Sequence, residues 1–261
     1  MILNYIISMR NNHIFIPSKL DLSMKKLPNL FYLKNKNNVK LSYYIFIPQN
    51  SSKFLIIWSH ENKSNAYEYN DFLQNLSNIL CCIIIIYDYQ GYGFSEGVCS
   101  ENNCYDDLET IVNFVLNKYG VLNKSIYLVG HGFGTATVIN YISKNDWQNP
   151  VILISPFKSI FEIARETDKY DYLFEMAKHF VDLNIIDVFN SMNKLNKIKC
   201  SAKIIHGKNN NFIKIKQAKE IYNLLPNKKL KPQWVNDCGH YGILSKINFK
   251  ELFDDILISG K

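Results

Sequence analysis

Residues 126–137 read I-Y-L-V-G-H-G-F-G-T-A-T, and this stretch constrains the fold more than any other. Residues 126–129 are a short apolar run, the signature of a buried strand. Gly130, Gly132 and Gly134 then alternate with His131 and Phe133, and residues 135–138 open a helical pattern. Strand, glycine-dense turn and helix, in that order, are the setting of a nucleophile elbow, G-x-S-x-G. The outer glycines allow close backbone approach, and the apex residue projects into the site. Here the apex is Gly132, which has no side chain. The chain keeps the scaffold for a nucleophile and lacks the oxygen.

The rest of the pattern alternates strands with helices. Residues 31–33 and 41–47 read as a hairpin around the polar turn 34–38, and 54–58 as a continuous apolar strand. Residues 65–80 have helical spacing, with Tyr69, Phe72, Leu73, Leu76 and Ile79 on one side. The β-branched run 83–86 fits a central parallel strand, and 106–119 a second amphipathic helix. Beyond the elbow, strands are expected at 151–154, 200–205 and 230–235, and helices to about 143, at 213–224 and at 247–258. Residues 157–192, irregular and rich in aromatics such as Phe161, Tyr170, Tyr172, Phe174 and Phe180, read as a helical cap. Such alternation implies a mostly parallel sheet covered on both faces, with ligand loops at the carboxyl ends of its strands. His60, Asp88, Gly132, Ser155, Asn210 and His240 all fall at those ends. The expected division is an N-terminal segment, 1–16, and one domain, 17–261.

A chain of 261 residues is long enough for one large core. The net charge of +7 comes from lysines dispersed among asparagines, without a basic stripe interleaved with aromatics, so nucleic acid is not an expected partner. Attraction to an acidic membrane surface stays open. The six cysteines match no zinc spacing and form no C-x-x-C, which fits core thiols, a reducing, cytoplasmic setting and no metal or cofactor. The apolar patch in residues 1–9 lacks the basic start and cleavage site of a signal peptide, and Ile2 excludes the usual myristoylation motif.

Taken together, the motifs resemble the α/β-hydrolase superfamily, in particular the cytosolic branch that includes protein depalmitoylases. Where that branch has S-H-G-N-A, this chain has Ser59-His60-Glu61-Asn62-Lys63. Its D-Y-x-G-Y-G-x-S-x-G is matched in full by residues 88–97, and its S-E-x-N-x-Y-x-D nearly so by 100–107. G-x-S-x-G-T becomes Gly130-His131-Gly132-Phe133-Gly134-Thr135, I-I-H-G-x-x-D becomes residues 204–210 ending in Asn210, and G-x-G-H becomes Asp237-Cys238-Gly239-His240. The resemblance covers about 17–253 and implies the α/β-hydrolase fold with a small helical cap. It also implies ester or thioester substrates and an acyl-type ligand.

Carried over residue by residue, the triad retains only His240. Serine is replaced by Gly132 and the acid by Asn210, whose carbonyl can accept a hydrogen bond from the ring but carries no charge. The oxyanion donors would be the N–H of Phe133 and the loop where a family glycine is Glu61, a carboxylate that repels a developing oxyanion unless it turns to solvent. The expected protein is a pseudo-hydrolase. The alternatives are a weakly active serine-type hydrolase with a rearranged site, and a scaffold that binds a protein partner. Among substitute nucleophiles, Thr135 and Thr137 are expected to cap or pack, Cys238 to pack, and Ser155 to be a satisfied loop hydroxyl. His131 is expected to point away from His240. His13, His60, His179 and His206 read as structural, and Asp88 as a tie for the turn at 91–93.

Overall fold

The computed structural model describes residues 11, 14–21, 27–119, 125–166 and 187–259. Its strands are β1 (Leu30–Lys34), β2 (Lys40–Phe46), β3 (Leu55–Ser59), β4 (Ile83–Tyr87), β5 (Ile126–His131), β6 (Val151–Ile154), β7 (Ala202–Gly207) and β8 (Gln233–Val235). They form one sheet in the order β1-β2-β4-β3-β5-β6-β7-β8. β1 pairs antiparallel with β2, and β2 with β4. From β4 to β8 every neighbour is parallel.

The central parallel strands β3, β4 and β6 are apolar along nearly all their length because both faces are covered. Leu55 and Ile57 of β3, with Ile85 and Tyr87 of β4, enter one core. Ile56 and Trp58, with Ile84 and Ile86, enter the other. Each such fully buried side chain contributes about 1.5–3 kcal/mol of hydrophobic stabilisation. The first core is closed by α2 (Glu101–Tyr119), α3 (Phe133–Lys144) and α5 (Ile215–Leu224), the second by α1 (Asn70–Leu80) and α6 (Phe249–Ser259). The remaining described α-helix is α4 (Ile160–Glu166).

Two sequence expectations are corrected. The stretch 65–80 is a 3-10 turn, Ala66–Tyr69, followed by α1, because the Asn65 side chain accepts from the N–H of Glu68 and tightens the entry. Its buried stripe runs through Leu73, Leu76 and Leu80, leaving Ile79 59% exposed. α2 starts five residues before the expected 106, at Glu101, where the Ser100 hydroxyl accepts from the N–H of Asn103. Of the cap at 157–192, residues 167–186 lie outside the described residues, as do the patch 1–9, His13 and His179. All six cysteines are free thiols.

The elbow explains its own glycines. A Cβ at Gly130 would lie 2.6 Å from the Gly134 carbonyl oxygen, and one at Gly134 would lie 2.1 Å from that of Ser59. α3 therefore packs on β3 with backbone against backbone, which only glycine permits. The sheet reverses direction of growth at β3, between β4 and β5, so the loops after β3 and β5 diverge around a crevice.

Candidate functional site: a glycine apex and a half-buried carboxylate

β5 ends at His131, and Gly132 turns the chain into α3 with φ 50° and ψ −112°. An L-residue adopts that backbone only under strain. The Gly132 N–H donates to the Ile154 carbonyl at 2.8 Å, and the Thr135 N–H donates back to the Gly132 carbonyl at 3.0 Å. The Thr135 and Thr137 hydroxyls are spent on the carbonyls of Gly132 and Gly134, at 2.6 and 2.8 Å. Gly132 faces His240: a Cβ built there would lie 3.8 Å from its Cε1.

Glu61 does not turn to solvent. Its Cβ would be 3.1 Å, and its Oε2 3.6 Å, from a Cβ at Gly132. Oε2 lies 3.3 Å from Nε2 of His240. It thus takes the place at the imidazole that a nucleophile's oxygen would hold. Burial pushes the Glu61 carboxyl up, but the hydrogen bond with His240 opposes it, and the net direction is down.

Asn210 acts on the other ring nitrogen, and here too the sequence reading is corrected. Its carbonyl does not receive the ring proton. Oδ1 already accepts the N–H groups of Phe212 and Ile213, at 3.1 and 2.9 Å. The amide nitrogen therefore faces Nδ1 of His240 at 3.1 Å. An amide NH2 can only donate, so Nδ1 must accept, and the neutral ring carries its proton on Nε2. A triad needs the reverse: Nδ1–H held by an acid and Nε2 bare. A second ring proton, which acyl transfer requires, would set N–H against NH2. The Nε2 proton also covers the lone pair a metal ion would need there.

His131 likewise departs from expectation. It does not point away from His240: the two rings lie 6.5 Å apart at 27°. The turn at Gly132 breaks the strand's alternation of sides. Nε2 of His131 approaches Oε2 of Glu61 at 3.8 Å, while Nδ1 meets the Tyr69 hydroxyl at 3.1 Å. Nε2 has no hydrogen-bond partner. Burial lowers the ring to about 4, so it is neutral near pH 7.

Phe133, whose N–H opens α3, packs its ring on Phe189, Tyr89 and Phe15, at 4.6, 5.4 and 5.7 Å between centroids. Gly132 gives α3 no side-chain cap. The site histidine is flanked by Phe212 and Tyr241, with ring centroids 5.0 and 5.2 Å away. Sequence reasoning does not single out Tyr69, Phe212 or Phe15 as site residues; the aromatic content of their segments is the only signal it offers.

The other candidates take simpler places. His60 donates through Nδ1 to the Glu61 carbonyl at 2.8 Å, and His206 through Nε2 to the Ile213 carbonyl at 2.9 Å. Burial lowers each to about 4. Asp88 accepts from Ser42 and from the Ala66 N–H, at 2.7 Å each, and from the backbone of Phe94 beside the 91–93 turn. Cys238 is buried. Ser155 is not a satisfied hydroxyl: its Oγ is buried without a partner, on a residue with φ 53°.

Alpha/beta hydrolase L404 of Acanthamoeba polyphaga mimivirus is 40% identical over 198 residues, 76% of this chain and 70% of that protein. The chain belongs to the α/β-hydrolase family. Human alpha/beta hydrolase domain-containing protein 17C is 30% identical over 193 residues, 74% of this chain and 54% of that protein, so the chain spans about half of such relatives. No family model matches. Among solved structures, the Pyrococcus furiosus esterase Pf2001 superposes with a TM-score of 0.71 at 20% identity, covering 93% of this chain and 96% of its own. Mouse alpha/beta hydrolase domain-containing protein 10 gives 0.61 at 14%, covering 89% and 99%. At these identities the likeness establishes the fold alone.

Proposed function

We propose that this α/β-hydrolase family member does not form an acyl-enzyme and acts as a binding protein through the inherited site. One observation carries the reading. Gly132 faces His240 across a space that Glu61 enters, and Asn210 holds that histidine with its proton on the nitrogen that should be the base. Nucleophile, base tautomer and oxyanion environment are unfavourable together. The binding partner is an acyl-type small molecule or a protein. Six free thiols favour a reducing compartment, and among the described residues no helix is long and apolar enough to cross a membrane.

A fluorophosphonate probe tests the reading, because it labels only an activated nucleophile. No covalent adduct is expected by mass spectrometry on the purified chain. Stoichiometric labelling, abolished in His240→Ala, would establish the competing reading of a serine-type esterase or thioesterase with a rearranged nucleophile.

A further inference from the structure

Glu61 sits in the site as a ligand would. Three groups converge on the space its carboxylate fills. Nε2 of His240 is 3.3 Å from Oε2 and bears the ring proton, because the Asn210 amide donates to Nδ1. Nε2 of His131 is 3.8 Å from the same oxygen, buried and without a hydrogen-bond partner. The Tyr69 hydroxyl lies 3.1 Å from Nδ1 of His131, and where it donates there the ring's N–H stands on Nε2 as well. The third group is the start of α3, twelve residues long and uncapped by any side chain, whose first N–H groups and dipole favour negative charge. Two imidazole edges and a helix N-terminus face the same carboxylate oxygen.

We propose that Glu61 is an internal ligand of a carboxylate-binding cradle formed by His131, His240 and the start of α3, and that ligands bearing a carboxylate compete with it. This deepens, and rests on, the non-acylating reading, since a serine side chain at the apex would fill the same space. The ligand class is a free carboxylic acid with an apolar tail, the tail meeting the rings of Phe212 and Tyr241 beside His240. Glu61 and a bound carboxylate exclude each other, so occupancy depends on Glu61 swinging out.

The test is calorimetric titration of the full chain with sodium octanoate at fixed ionic strength, comparing wild type, Glu61→Ala and Glu61→Gln, each checked by circular dichroism. Glu61→Ala should bind octanoate at one site at least tenfold more tightly than wild type, and adding His131→Phe should lose at least fivefold of that gain. Glu61→Gln, which keeps the size and removes the charge, should also bind more tightly than wild type and decides the matter if the alanine variant does not fold. Equal affinity in wild type and variant, or equal binding of octanamide and octanoate, would overturn the proposal. Fluorophosphonate labelling of wild type would instead overturn the non-acylating reading, and is scored separately.

Discussion

Consider the double substitution Gly132→Ser with Asn210→Asp, which returns both missing members of a triad. An aspartate in place of Asn210 can keep one oxygen on the Phe212 and Ile213 N–H groups and offer the other to Nδ1 of His240, reversing the ring's tautomer. Exchange of acid for amide in a triad is worth on the order of 10⁴ in turnover. Yet the Cβ of the introduced serine would sit 3.1 Å from the Glu61 Cβ and 3.6 Å from its Oε2. The new hydroxyl, one bond further out, would hydrogen-bond to a fixed carboxylate and compete with it for His240. A developing oxyanion about 4 Å from that carboxylate is opposed by about 4 kcal/mol at an effective dielectric of 20. That is a factor of about 10³ in rate. Adding Glu61→Gly removes both obstacles. In p-nitrophenyl butyrate hydrolysis the double variant should stay within about tenfold of buffer background, and the triple variant should exceed the double by about 10³. Fluorophosphonate labelling should follow the same order. A double variant that turns over within threefold of the triple would show that Glu61 swings clear of His240 unaided, and the reasoning would fail.

Gly134→Ala should destabilise the fold by about 3 kcal/mol, because its Cβ would lie 2.1 Å from the Ser59 carbonyl oxygen, backbone that cannot step aside; a loss under 1 kcal/mol in urea unfolding would refute the close-packing argument. Buried titratable groups give opposite signatures with pH. His206 is lowered to about 4 by burial, so the unfolded chain binds more protons between about pH 6.5 and 4, and the stability margin of wild type over His206→Gln should narrow on acidification through that window. Asp107, bonded to Gln90 and raised to about 7 by burial, binds more protons when folded, so the margin of wild type over Asp107→Asn should narrow as pH rises from about 4 to 7. Denaturant midpoints for both variants across that range check the two signs together.

The sheet is legible because its strands carry their own evidence: Ile83 to Ile86 can only be buried on both faces, and the glycines of the elbow can only mark a close approach. Strand ends offer six candidate residues, and it is the resemblance to α/β-hydrolases that selects Gly132, Asn210 and His240 among them, which the structure does bring to one point. What escapes is direction. The sequence puts Glu61 on the oxyanion loop, but whether a glutamate faces water or an imidazole depends on rotamer and neighbours, not on spacing. His131 defeats the sequence because alternation along an extended strand does not carry one residue further, into a turn that no longer alternates. Asn210 defeats it because two backbone N–H groups, on Phe212 and Ile213, have a prior claim on its oxygen. Ser155 shows the opposite limit: a buried hydroxyl without a partner leaves no trace in the sequence.

The backward kink at residue 132 persists although nothing on that residue requires it. It is imposed from either side, by the contact of Gly130 with Gly134 and of Gly134 with Ser59. Backbone packing, not anything on residue 132, holds the bend, so the direction in which a side chain at the apex would point is set before that side chain is chosen. Whatever residue stands at 132, the mould around it is made by its neighbours.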